Sequence, residues 1–244
     1  MRNAVINLLA LLLVIVVNAL ANILPINDKT TGEISNQLDV LFTPAGYVFS
    51  IWGVIYILLS IWVIIGFTSN RKDSALYNAV NPWFWLSCLL NVSWLLSWHY
   101  EFTAISIVIM LGLLLTLIKI YETAKRLHQT FYDRLPFSVY LGWISVATIA
   151  NISYYLVKID WNGIGISQVA WTIIMLFVAI LLGVIFVLKE KDLVFPLVII
   201  WALIGVGVRN MPETTSVSYT AYGLSVFLAI VILIFGFKKV FARP

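Results

Sequence analysis

Apolar residues in this chain gather into eight long runs separated by short polar stretches. The runs lie at about 4–24, 45–67, 82–98, 103–121, 137–157, 167–188, 193–208 and 219–237. A helix needs roughly 20 apolar residues to cross a bilayer, with a range of about 17–25. Backbone groups in hydrocarbon must pair internally, so such runs are helices or a closed barrel. Unbroken runs with no two-residue period favour helices. The third and seventh runs are short, and the seventh carries Pro196 early and Gly205 and Gly207 late. The pattern predicts an all-α membrane protein with eight transmembrane helices.

The polar stretches orient those helices. Twelve Lys and Arg residues fall in segments on one side, against Lys29, Lys158 and Arg209 on the other. By the positive-inside rule this puts both termini in the cytoplasm of a multi-pass protein of the cell membrane. Arg2, the apolar stretch after it and Ala19-Leu20-Ala21 also match a signal peptide with a small-residue cleavage site. Cleavage would leave seven spans with the same loop orientation, so charge does not decide between the two. Residues 25–43 form the longest outer loop. Thr31-Gly32 marks a turn there. Ile34, Leu38 and Leu41 stand at helical spacing, which leaves a short surface helix and a solvated connector both open. The inner loop 122–136, with Glu122, Lys125, Arg126, His128, Asp133 and Arg134, reads as a contact for anionic lipid headgroups and an orientation determinant.

Composition agrees with the pattern. Of 244 residues, 62% are hydrophobic and 11% charged, and the mean hydropathy is +1.01. A soluble domain cannot bury that much apolar surface. The single cysteine, Cys88, excludes an internal disulfide. The net charge of +4 is spread through short loops, with no basic stripe or motif for nucleic acid.

Catalytic signals are missing. There is no Walker loop, no HExxH, no paired intramembrane carboxylates and no membrane-embedded lysine. His99 falls at the outer end of the third span and His128 in an inner loop, so they cannot share a metal; His99 reads as an ordinary interfacial residue. No catalytic or metal-binding residue is assigned. An enzyme is the lesser reading, and a proton- or ion-coupled pump is disfavoured because it needs costly ionisable groups within the membrane.

Aromatic and amide side chains remain. Trp83, Trp85, Trp98 and Trp161 lie near span ends, as an interfacial belt does. Trp52, Trp94, Trp143, Trp171 and Trp201 lie deeper, where an indole N–H wants a partner. Asn91 and Asn151 need partners for the same reason. The stretch 42–56, FTPAGYVFSIWGVIY, is the densest signal. Pro44 can begin a helix. Gly46 lets another backbone or a flat ligand come close. Tyr47, Phe49, Trp52 and Tyr56 follow inward. These residues together predict a bundle with an aromatic pocket for a large, flat, hydrophobic molecule.

The motifs resemble those of the TspO/translocator-protein family, the tryptophan-rich sensory proteins also described as peripheral benzodiazepine receptor-like. That family's second helix begins roughly W-x-P-P-G-W-x-F-x-x-x-W-x-x-L-Y. Here the pattern stands as Phe42, Pro44, Ala45, Gly46, Tyr47, Phe49, Trp52 and Tyr56. Asn91 and Trp94 are similar to its N-x-x-W-S element. Tyr140, Trp143, Ala147, Thr148 and Asn151 are similar to its Y-x-x-W-x-x-x-A-T-x-x-N element. The resemblance covers residues 1–157 and implies a five-helix bundle. Residues 158–244 add three transmembrane helices packed on it as one structural unit.

The resemblance implies a porphyrin or similar tetrapyrrole as ligand, with cholesterol and synthetic ligands in animal members. It implies a pocket lined by Trp52 and Trp143 facing each other, with Tyr47, Phe49, Tyr56, Asn91, Trp94, Ala147 and Asn151 around them. The loop 25–43 would cover it. No cofactor is required, a porphyrin being a candidate bound ligand only, and the expected partners are the lipid bilayer and a hydrophobic small molecule. Ala45, Tyr47, the missing cholesterol pattern after Asn151 and the three further spans depart from the family. They leave homodimerisation and ligand identity open. Three readings stand: a sensor or transporter of a planar hydrophobe, a permease for a small amphipathic solute, and a light-dependent porphyrin-degrading enzyme.

Overall fold

The computed structural model describes residues 2–24, 26–68, 71, 74–127 and 130–241, and these contain helices and no strand. The helices are α1 (Arg2–Ile23), α2 (Thr31–Ser35), α3 (Ile51–Ile65), α4 (Ala75–His99), α5 (Thr103–Arg126), α6 (Phe131–Lys158), α7 (Gln168–Ile185), α8 (Val194–Asn210) and α9 (Thr215–Phe241). A 3-10 turn, Gly46–Ser50, leads into α3, and a wider turn, Phe186–Glu190, extends α7. Among the described residues, seven helices are long and apolar enough to cross a membrane. The remaining long one, α8, has 17 residues. At about 1.5 Å per residue it falls a little short of a hydrocarbon core about 30 Å thick. The count of eight crossings therefore stands at seven candidate spans and one shorter apolar helix.

Two expected starts move. The third and fifth runs begin at about 82 and 137, yet α4 begins at Ala75 and α6 at Phe131, and Pro82 and Pro136 lie inside these helices. The extra turns mix apolar residues with Asn78 and Asn81 in α4 and with Asp133 and Arg134 in α6, which interrupts the apolar run. Ser74 caps α4, its hydroxyl accepting from the Tyr77 N–H.

The chain divides into two compact units. The first holds residues 1–37 and 50–144, and the second holds 38–49 and 145–244.

In the first unit α1 packs on α4 and α4 on α5. Two amide pairs join α1 to α4. Asn7 Nδ2 donates to Asn81 Oδ1 at 2.8 Å, and Asn18 Nδ2 donates to Asn91 Oδ1 at 3.0 Å. All four side chains are buried. Trp85 Nε1 donates to Asn7 Oδ1 at 2.6 Å, so this indole serves the interior rather than a lipid-facing belt. Trp83 is the exposed one, with the Lys119 ammonium 6.0 Å from its ring.

The first unit also folds down its own loop. Thr30 and Glu33 form a reciprocal cap on α2. The Thr30 backbone N–H, and then its hydroxyl, hold the Glu33 carboxyl below its usual range. His99 is fully buried, with Nε2 3.0 Å from the Thr31 hydroxyl and Nδ1 3.2 Å from the Ile26 carbonyl. Lys29 pairs with Glu101 at 2.8 Å. His99 is thus a structural post for the loop rather than an interfacial residue; His128 lies outside the described residues. At another point Arg71 Nη1 contacts both oxygens of Asp133, at 3.0 and 3.1 Å.

In the second unit α8 packs on α9, and α7 on both. Here small residues set the spacing. A Cβ on Gly183 would stand 2.8 Å from Leu228 Cδ2, and one on Gly207 would stand 2.5 Å from Tyr222 Cε1. The Ser218 hydroxyl donates to the Gly207 carbonyl at 2.9 Å. Such small-residue contacts suit a solvent in which helices gain nothing from hiding apolar surface from lipid. Leu9, Ile57 and Val108 of the first unit, and Leu181, Val226 and Leu233 of the second, are large apolar side chains left exposed.

Candidate ligand-binding site

Trp52 is the hub of an aromatic cluster in the first unit. Its ring stacks near Tyr56 one turn along α3, with centroids 5.6 Å apart. Trp143 meets it edge-on at 6.2 Å and Tyr140 edge-on at 5.8 Å, both from α6. Trp94 of α4 lies at 6.3 Å and stacks in turn on Trp98 at 6.1 Å. These separations are those of aromatic pairs in direct contact. Trp52 and Trp143 are therefore neighbours, but they meet edge-on in contact rather than across a void, and no ligand layer fits between them as they stand.

Polar groups complete the cluster. Asn91 Nδ2 donates to the Tyr140 hydroxyl at 2.8 Å while its carbonyl accepts from Asn18. Asn91 thereby fixes the position of one ring that faces Trp52. Two donors in the cluster have no hydrogen-bond partner, the Tyr56 hydroxyl and Trp94 Nε1, and both atoms are buried. A buried donor left unpaired costs about 1–3 kcal/mol.

Of the expected site residues, Trp52, Tyr56, Asn91, Trp94 and Trp143 thus come together in the first unit. Tyr47, Phe49, Ala147 and Asn151 belong to the second. Tyr140 joins the cluster although only its place in the sequence motif pointed to it. A tyrosine whose hydroxyl serves an amide on another helix has no marker in one sequence.

The stretch before Trp52 is held differently. Ala45 N–H donates to the Gly205 carbonyl at 3.0 Å. Trp201 Nε1 donates to the Val48 carbonyl at 3.1 Å, and Asn210 Nδ2 to the Leu41 carbonyl at 2.8 Å. Tyr47 packs edge-on against Trp201 at 5.3 Å. One side of α8 thus grips residues 41–48. The glycine that permits the approach is Gly205, where a Cβ would overlap the Val48 Cγ2 methyl and stand 3.2 Å from Pro44 Cβ. Gly46, expected to serve that purpose, has open space where its Cβ would be.

Comparison with known proteins adds one finding. Residues 4–234 match a family model described as TSPO-like protein. The match takes in α7 and α8 and most of α9, well past the 1–157 that carry the sequence motifs. No curated protein and no solved structure matches the chain. With seven candidate spans and a family match along nearly its whole length, this multi-pass membrane protein belongs to the TSPO-like family.

Proposed function

We propose that the protein binds a planar hydrophobic ligand of the porphyrin or tetrapyrrole kind against the Trp52 cluster, as a sensor or transporter. The observation that carries this is the pair of unpartnered buried donors, Tyr56 hydroxyl and Trp94 Nε1, within a group of stacked and edge-on rings. A flat π-system gains contact area there, and an acceptor on it relieves the two donors. Because Trp52 and Trp143 already touch, the ligand lies against the cluster through the half-buried Trp52 ring, or it turns that ring aside. Asn91 and Tyr140 hold the far side in place.

The test is a titration of the purified full-length protein with protoporphyrin, following the Soret band and tryptophan quenching. Trp52→Phe is expected to weaken both signals most and Trp143→Phe next. Unchanged signals in both variants would refute the pocket.

We also read α8 as an eighth crossing, which puts both termini in the cytoplasm. Single cysteines near each end, in a Cys88→Ser background, should react with a membrane-impermeant thiol reagent only after the cells are opened. Labelling of one end alone in intact cells would give an odd number of crossings.

A further inference from the structure

A cavity of about 360 Å³ lies within the second unit, and no ring of the Trp52 cluster is among its lining residues. Its walls come from the end of α6, the start of α7, the 159–167 connection and residues Val40 and Leu41. That size is at the lower end of the range for small-molecule pockets, roughly 300–1,000 Å³.

Its chemistry is specific. Trp161 and Trp171 both line it, edge-to-face, with centroids 5.0 Å apart and planes at 71°. Trp171 Nε1 is buried and has no hydrogen-bond partner. Thr172 and Ser153, both buried, add hydroxyls to the lining. Asp160 is the one charged residue among the lining residues, and no lysine or arginine joins it. Its carboxylate makes no ion pair among the described residues.

The connection is shaped to place these groups. Asp160, Gly163, Ile164 and Gly165 all have positive φ. The Asn162 side chain caps the Ile164 N–H at 3.0 Å. Ile164, β-branched and at positive φ, is exposed, and the Asn162 cap between Gly163 and Gly165 is what shapes the backbone there. Gln168 Nε2 donates to the Asp39 carbonyl at 2.7 Å, tying the 38–49 segment to the start of α7.

We infer that this cavity binds a small organic cation bearing an acceptor oxygen, such as an amino alcohol or a quaternary ammonium alcohol. The lining holds two indoles at 71° to one another, and an indole is the strongest aromatic partner for a cation. The carboxylate at the rim supplies the opposite charge. The unpaired Trp171 N–H takes the acceptor. An anion would meet a carboxylate and no compensating base. A purely apolar guest would leave the Trp171 N–H unpaired. The inference does not depend on the porphyrin reading, since the two sites share no residue.

Choline is the probe, titrated by calorimetry into the full chain in nanodiscs at constant ionic strength. Its neutral isostere, 3,3-dimethylbutan-1-ol, is the comparison. Saturable heat is expected for choline and none for the alcohol. Asp160→Asn, at an exposed position that leaves the fold intact, should weaken choline about tenfold, which is roughly 1.4 kcal/mol. Trp161→Leu should weaken it similarly. Equal binding of the two probes, no saturable heat from choline, or full affinity in Asp160→Asn would each overturn the assignment.

Discussion

The two units solve one problem with different chemistry. In the first, helices are joined by amides. Asn7 meets Asn81 and Asn18 meets Asn91, and the second pair passes its bond on to Tyr140. In the second, the close approaches are made at glycines, with Gly183, Gly205 and Gly207 against Leu228, Val48 and Tyr222, and the Ser218 hydroxyl adds one bond from α9 to α8. Lipid does not drive apolar helices together, so each contact must come from hydrogen bonds or close packing. The difference teaches what each device specifies. An amide pair fixes register, because a slip of one residue turns the partner away. A glycine fixes distance, because the neighbour rests on the backbone itself.

That contrast can be broken at chosen points. The largest effect is expected at Gly205→Ala. The new methyl meets Val48, which is fully buried, and Pro44, which is rigid. Overpacking of this kind costs about 1–3 kcal/mol. Val48→Ala should recover part of the loss in the double variant, read as unfolding in a detergent or lipid titration. Additive losses in the two variants would mean that distance is not what Gly205 sets.

A smaller effect is expected at Asn91→Ala, about 1–2 kcal/mol, since Asn18 and Tyr140 each lose a bond. A double-mutant cycle with Asn18→Ala should give a coupling near 0.6 kcal/mol, the average for interhelical hydrogen bonds in a membrane. Zero coupling would remove the register role. Because Asn91 also orients Tyr140, the variant should loosen the Trp52 cluster, whereas Gly205→Ala acts on residues 44–48 of the second unit.

Several features were legible before any coordinates. Unbroken apolar runs marked the helices. Trp52 and Trp143 were paired by motif and do meet. Asn91 was marked as needing a partner, because an isolated amide in an apolar run always does. Other features were hidden. The first turns of α4 and α6 mix polar and apolar residues, so the unbroken apolar runs start after them. Gly205 and Gly207 showed only as interruptions of a short run. His99 looked interfacial because its position along the chain says nothing of the loop that folds over it.

By itself the sequence determined which groups must be satisfied. Apolar runs require a bilayer and helices, a buried amide or indole requires a bond, and a motif ties tryptophans on two helices to one family. Only the tertiary structure decided which group satisfies which. It gave Asn18 to Asn91, Trp201 to the Val48 carbonyl and the Gly205 gap to Val48. The reason is geometric. Hydropathy and propensity are properties of a residue and its near neighbours, whereas a hydrogen bond or a van der Waals fit depends on two side chains far apart in the chain meeting at one distance and angle.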